Sequence, residues 1–330
     1  MEETLLVPHY ARLMDYAGPW SLHPVQMSLL NKLVDTGEIF AFAASSNDEP
    51  LKSAMTLRAI PGGKAVAVIN LDGVLMKGQS WWGTSTVQAR RDIRQAVADP
   101  DVSGIMIKVH SPGGTVAGIF DLAADVRAAN RAKPVFAHIE DMGASAAYHA
   151  VAWASRITLN SPDALVGSIG TFQVLNDLSA MAEREGVRTI LVATGPLKGM
   201  GTPGTKITDD QVNHVQGLVH AAQGIFDIAV RQGRNMNAKE LENVRHGGVF
   251  IGQEAVNAKL VDAVQSEDKS MKELVQAVAT RGGARAEARD VLPMRYDVLP
   301  VMQSQWDATR RTSLGPSREA AAIDGSRNRE

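Results

Sequence analysis

"VSGIMIKVHSPGGTVAGIFDLAADVRAANRAKPVFAHI", residues 102–139, reads as strand, turn, helix, strand. "VSGIMIKVH" (102–110) is apolar and rich in β-branched residues, the composition of a strand covered on both faces. "SPGG" (111–114) turns the chain sharply. "TVAGIFDLAADVRAANRA" (115–132) has helical spacing, and "KPVFAHI" (133–139) returns to an extended apolar pattern. A strand, a crossover helix and a second strand joined this way form a right-handed βαβ unit with parallel strands.

The same alternation extends outward. "KAVAVINLDGVLM" (64–76) is a buried strand ending in a turn. "STVQARRDIRQAVADPD" (85–101) opens with Ser/Thr capping candidates and places Val87, Ile93 and Val97 on one helical stripe ahead of Pro100. Downstream, "EDMGASAAYHAVAWAS" (140–155) is loop then helix, and "RITLN" (156–160) and "TFQVLND" (171–177) are extended, with "SPDALVGSIG" (161–170) between them. "DLSAMAEREG" (177–186) is helix, "VRTILVAT" (187–194) strand, and a long amphipathic helix follows a cap at Thr208. Two short helical units and "LVDAV" (260–264) close the pattern, which dissolves after about residue 282. These elements predict an α/β fold with a largely parallel sheet. They divide the chain into an N-terminal extension (1–60), a folded domain (61–282) and a flexible tail (283–330) in which "DVLP" occurs twice.

Composition narrows the function classes. In 330 residues, 45% are hydrophobic and 21% charged, enough apolar material for a substantial core. The formal net charge of −2 gives no basic surface for nucleic acid. Without a single cysteine there is no disulfide, thiolate metal site or thiol nucleophile, and the histidines lack metal-ligand spacing. "MEETLLVPHYARLMDY" at the start is acidic where a signal peptide wants positive charge. No apolar run reaches the roughly 18–20 residues of a membrane helix. The expectation is an intracellular protein with no membrane anchor, no metal and no cofactor.

Three stretches could carry chemistry. Ser145 stands among Gly143, Ala144, Ala146 and Ala147 at the start of a helix. There it is either an ordinary cap or a nucleophile with the Ala146 N–H beside it as an oxyanion donor. "SPGG" is either a plain strand-to-helix turn or a loop whose exposed N–H groups bind an oxyanion. A serine nucleophile needs a base. His149 lies one helical turn after Ser145 and Asp141 four residues before Ser145, a poor geometry for a triad. Lys198, in the Gly- and Pro-rich "ATGPLKGMGTP" (193–203), is either an exposed loop lysine or a desolvated base.

Taken together, "VAVINLDGVLM", "VSGIMIKVHSPGG", "KPVFAHIEDMGASAAYHAVAWASRITLNSPDALVGSIG", "ATGPLKGMGTP" and "GGVFIGQEAVNAKLVDAV" resemble the signal peptide peptidase A family of Ser–Lys serine peptidases. Within it they look like the phage head maturation, or capsid assembly, protease branch. The resemblance spans about Ala65 to Val264. It implies a ClpP/crotonase-like fold with repeated ββα-type units, Ser145 as nucleophile and Lys198 as general base. It also implies that Ser168 orients the lysine amine, and that Gly113, Gly114 and the Ala146 N–H form the oxyanion hole. The implied partners are protein substrates, namely capsid scaffold, portal or other head proteins. A homo-oligomer in the host cytoplasm or the prohead is implied as well. The family's "GLVD" element reads "AKLVD" here (258–262), and "YARLMDYAGPWSLHPVQMSLLNKLVD" resembles the leader of phage members. Set against this reading are a non-catalytic assembly component that keeps the fold, a cellular signal-peptide-peptidase-like protease, and a crotonase-type acyl-CoA enzyme. The last would want acidic catalytic residues, for which there is no signature. The tail is expected to be dispensable for chemistry, serving either as a docking peptide or as a site of self-trimming.

Overall fold

The computed structural model describes residues 20–22, 53–78 and 83–283, all within one unit of the chain. The tail expected over 283–330, beyond its first residue, and most of the extension expected over 1–60 therefore lie outside the described residues. In chain order the strands are β1 (Trp20–Leu22), β2 (Met55–Ile60), β3 (Lys64–Asp72), β4 (Val102–Ser111), β5 (Gly113–Thr115), β6 (Val135–Ala144), β7 (Arg156–Leu159), β8 (Leu165–Gly167), β9 (Val249–Ile251) and β10 (Ala263–Val264). The helices are α1 (Thr86–Ala98), α2 (Ile119–Ala132), α3 (Ala146–Val151), α4 (Ser179–Arg184), α5 (Asp209–Gly233), α6 (Ala238–Glu242), α7 (Gly252–Asn257) and α8 (Glu267–Gly283).

The main sheet runs in the order β10-β7-β6-β4-β3-β2. Every neighbouring pair on this path is parallel except β2 with β3. This is the parallel sheet the alternation predicted. β2–β3–α1 and β4–β5–α2 each run strand, strand, helix, the ββα unit of the expected fold. Ile69, Leu71, Ile105, Ile107, Val109, Val135, Ala137 and Ile139 are all fully buried, because helices cover the faces of the parallel strands. Residues 55–60, inside the stretch read as an extension, form an edge strand. They are tied down where buried Asp92 of α1 accepts the Ser53 hydroxyl (2.9 Å) and the Ala54 N–H (3.1 Å).

Local signals set the helix boundaries. Ser85 caps α1 by accepting the Gln88 N–H, and Thr208 caps α5 in a reciprocal capping box with Gln211. The helix expected from residue 115 starts four residues later, at Ile119, because Gly113–Thr115 is drawn into strand pairing. α8 was not legible as a helix in the sequence; its Met271 and Leu274 close a second core against Val66, Met106 and Phe136.

Other stretches depart from expectation: residues 140–144, read as loop, are the end of β6, and residues 171–177, read as extended, lie in no strand. Residues 187–194, read as a strand, find no ladder partner and run irregularly. Val187, Ile190, Leu191 and Val192 stand exposed, Val192 at 90%. Strand composition specifies a strand only where a neighbouring edge is offered. Among the described residues none is.

Candidate active site

β4 and β6 pair in parallel up to Ser111 with Gly143, so the "SPGG" turn and the Gly-Ala-Ser segment leave the sheet side by side. One strand further on, β6 pairs with β8 in parallel, with Ala144 opposite Gly167. The next residues are Ser145 and Ser168. Two serines 23 positions apart in the chain thus emerge together at the ends of adjacent strands, and both have positive φ, 56° and 50°. Both are buried, Ser145 at 1% and Ser168 at 4% exposure. The Ser145 N–H donates to Gly167 O (2.7 Å) and the Ser168 N–H to Gly248 O (2.7 Å), which locks both backbones.

Ser145 does not cap α3 through its side chain, its backbone standing at φ 56° and ψ −120°. A capping serine sits in the extended region, as Ser85 does at φ −70° and ψ 118°. A β-carbon-bearing residue at positive φ is strained by roughly 1–3 kcal/mol, and such strain persists only where surrounding structure over-determines it. A sharp strand-to-helix turn of this kind pushes a serine hydroxyl out from the sheet end and is a recurrent geometry for nucleophiles. The Ala146 N–H follows at the first helical position, where no intrahelical acceptor exists.

The glycine loop packs against α3. Gly113 has φ 109°, open to glycine alone without strain, and its N–H donates to Ser111 Oγ (3.2 Å). The Ser111 hydroxyl itself donates to Gly73 O (2.6 Å). A Cβ on Gly114 would lie 1.9 Å from Leu75 O, so no other residue fits there. Leu75 N–H donates to Gly113 O (2.8 Å) and Thr115 N–H to Leu75 O (3.0 Å). The N–H and C=O of Gly114 consequently face the opposite edge of this short strand.

The histidine alternative does not form. His149 is packed flat against Phe226, ring centroids 4.6 Å apart, and burial pushes its pKa down to about 3. Asp141 faces His110 instead, at 3.5 Å. An imidazole so reluctant to take a proton is a poor base. Lys198 is exposed, on a turn-rich loop where its own N–H bonds locally to Gly195 O (3.1 Å). The structure thus brings Gly113, Gly114, Ser145, Ala146 and Ser168 into one place, while Lys198 occupies a solvent-facing loop.

Sequence reasoning missed a small apolar cavity of about 30 Å³ lined by Val116, Ile119, His149, Thr171, Ile225 and Phe226. Three of its lining residues, Val116, His149 and Thr171, follow Gly114, Ser145 and Ser168 in the chain by two to four residues. Phe226 and Ile225 come from α5, distant in the chain, and no local pattern marks them. Among the described residues no group of His, Asp and Glu could hold a metal ion, and no helix is long and apolar enough to cross a membrane.

Comparison with known proteins gives the following likenesses. Residues 127–281 match the model of peptidase family S49. The capsid assembly protease C of Escherichia phage lambda is 27% identical over 318 residues, covering 93% of this chain and 71% of that protein. The head-tail preconnector protein GP5 of Enterobacteria phage P21 is 26% identical, covering 86% of this chain and 57% of its own. Protease 4 of Salmonella typhi is 30% identical over 212 residues, but the match spans only 34% of that protein. Among solved structures, an enoyl-CoA hydratase of Mycobacterium smegmatis aligns over 83% of this chain and 94% of its own at a TM-score of 0.42 and 11% identity, too loose to bear on function.

Proposed function

We propose that this chain, which matches the model of peptidase family S49 over residues 127–281, is a serine endopeptidase that processes phage head proteins, with Ser145 and Lys198 as its dyad. The observation that carries the reading is the Ser145 backbone, buried, at positive φ, and making no cap. The phage relatives, matched over 86–93% of this chain, favour capsid, scaffold or portal proteins as substrates over signal peptides.

In this mechanism the Ser145 hydroxyl attacks a peptide carbonyl while the neutral Lys198 amine takes its proton. The tetrahedral oxyanion is held by N–H groups of the Gly113–Gly114 loop and of Ala146. Collapse breaks the C–N bond, the lysine ammonium protonates the departing amine, and water then hydrolyses the acyl-serine by the reverse proton path. Ser168 accepts or donates at the lysine amine and keeps it turned toward Ser145. The apolar cavity suits a modest apolar side chain at the substrate's cleavage site.

Lys198 must leave solvent for this chemistry. Its loop lies in a stretch whose Val174, Ile190 and Val192 are more than half exposed. Apolar surface of that kind is buried by association. We take the working enzyme to be a homo-oligomer whose contacts cover residues 174–197 and bring the amine to Ser145. The alternative of a non-catalytic assembly component is disfavoured, because strain at Ser145 has no use in a passive scaffold.

The test is co-expression with neighbouring head genes, read by mass spectrometry of the products. Ser145→Ala and Lys198→Ala should each stop processing and leave the fold intact, and the double variant should be no worse than either alone. Near-normal processing by Lys198→Ala would remove the dyad.

A further inference from the structure

β1 is a short strand far from the site in sequence, yet it pairs antiparallel with β5, the glycine loop itself: Trp20 with Thr115, Ser21 with Gly114, Leu22 with Gly113. The inner edge of β5 is spent on Leu75, through Gly113 O and the Thr115 N–H. The outer edge is the only one on which Gly114 can present its N–H and C=O, and Ser21 is its partner there. The Gly113 N–H is meanwhile held by Ser111 Oγ. Both glycine N–H groups of the expected oxyanion loop are therefore already engaged, one by the protein's own side chain and one facing Ser21.

An extended peptide whose carbonyl is to reach these donors, next to the N-terminus of α3, has to run along this same outer edge. Adding a strand to an exposed edge is how extended peptides are commonly bound, main-chain bonds giving affinity and side-chain pockets giving selectivity. The apolar cavity, with Val116 directly after β5 in its wall, lies beside that path.

We propose that the outer edge of β5 is the substrate-strand slot and that Trp20–Leu22 occupies it as an intramolecular stand-in for substrate, which a peptide must displace. The proposal rests on the peptidase reading above. β1 is three residues long and pairs with three residues, so it offers few bonds to break. Substrate of greater length adds pairs beyond that register and wins the exchange. Release of β1 also frees the Gly114 N–H for an oxyanion. The leader would thus hold the enzyme closed until an unfolded or extended chain is delivered at high local concentration, as among co-assembling subunits.

The chain has no cysteine, which makes a reversible tether clean to build. Trp20 and Thr115 are partners in a non-hydrogen-bonded pair, the antiparallel position whose Cα separation, about 4.5 Å, a disulfide can span. In the full-length Trp20→Cys/Thr115→Cys protein, Ser145 is labelled with methyl fluorophosphonate, which needs no strand slot, and with a tripeptidyl diphenyl phosphonate, which does. Labelling is read by intact mass in the oxidised and the reduced protein. The expected result is a tripeptidyl rate, relative to the methyl rate, that rises at least tenfold on reduction. Ser21→Pro, which removes the N–H facing Gly114, should raise the same ratio about three- to tenfold in a cysteine-free protein. Failure of the disulfide to form, an unchanged ratio on reduction, or absence of tripeptidyl labelling in the reduced protein each overturns the proposal while the peptidase reading stands. Absence of any label on Ser145 with either probe overturns that reading instead.

Discussion

At the scale of single residues, the site is defined by backbone conformation as much as by side chains. Ser145 holds φ 56° and ψ −120° because its N–H is bonded to Gly167 O on one side and α3 begins immediately on the other. That strain yields a stability prediction separate from the activity prediction. Ser145→Gly should raise stability by about 1 kcal/mol, since glycine occupies positive φ freely, whereas Ser145→Ala keeps the Cβ and the strain and should be close to neutral. Both should be inactive. Urea unfolding of the three proteins checks this, and a Ser145→Gly protein less stable than Ser145→Ala would show that the conformation is unstrained. The two serines 145 and 168 were each visible as candidates in the sequence. Their adjacency was not, because it depends on the parallel register that sets Ala144 opposite Gly167.

Among elements, one link ties α3, the helix that follows Ser145, to the C-terminal part of the domain. The hydroxyl of Tyr148, fully buried on α3, donates to Leu260 O (2.7 Å), and burial raises its pKa. Two residues on, the Asp262 carboxylate accepts the Ile157 N–H of β7 (2.7 Å) and the Arg234 guanidinium (2.7 Å), while Arg234 Nε donates to Lys259 O (3.1 Å). This gives the "AKLVD" element its physical meaning: the aspartate clamps β7 to the end of α5. Lys259, at φ 61°, stands in a left-handed position that suits glycine, as the family pattern has it. Asp262→Ala would leave the Arg234 side chain, 7% exposed, without its carboxylate and the Ile157 N–H without an acceptor. The expected cost is about 3 kcal/mol, the low end for removing one member of a buried pair, since Asp262 keeps partial contact with water. A chemical-denaturation midpoint close to wild type would contradict it.

For the whole molecule, the buried histidines make stability depend on acid. Burial holds His149 at a pKa of about 3 and also lowers that of His138, whose ring lies fully buried beside Thr158 and Ser270. In the unfolded chain both titrate near their ordinary value of about 6.5. Above that pH neither state is protonated and these groups contribute no pH dependence. As pH falls below about 6.5 the unfolded chain binds protons that the folded one refuses, so stability declines, for His149 down toward pH 3. The slope can reach about 1.4 kcal/mol per pH unit for each histidine. Urea midpoints at pH 7.5, 6 and 4.5 should fall steadily, and His149→Leu should flatten part of that fall. An unaltered slope in His149→Leu would mean that His149 does not stay neutral in the fold.

Apart from Ser168, which only the family resemblance singled out, the amino-acid sequence alone determined the alternation of strand and helix, the caps at Ser85 and Thr208, and the candidate residues Gly113, Gly114, Ser145 and Lys198. These features are local, set by hydrophobic period, capping chemistry and glycine spacing, which short stretches carry by themselves. Tertiary structure decided what depends on distant partners. It denied residues 187–194 a strand, since composition cannot supply a neighbouring edge. It turned His149 from a possible base into a buried ring against Phe226, because α5 covers that face of α3. It also set β1 on the glycine loop, a pairing between residues more than ninety positions apart that no periodicity encodes. Backbone hydrogen bonds across such separations are chosen by which edges the packed core leaves open, and that choice exists only once the chain has folded.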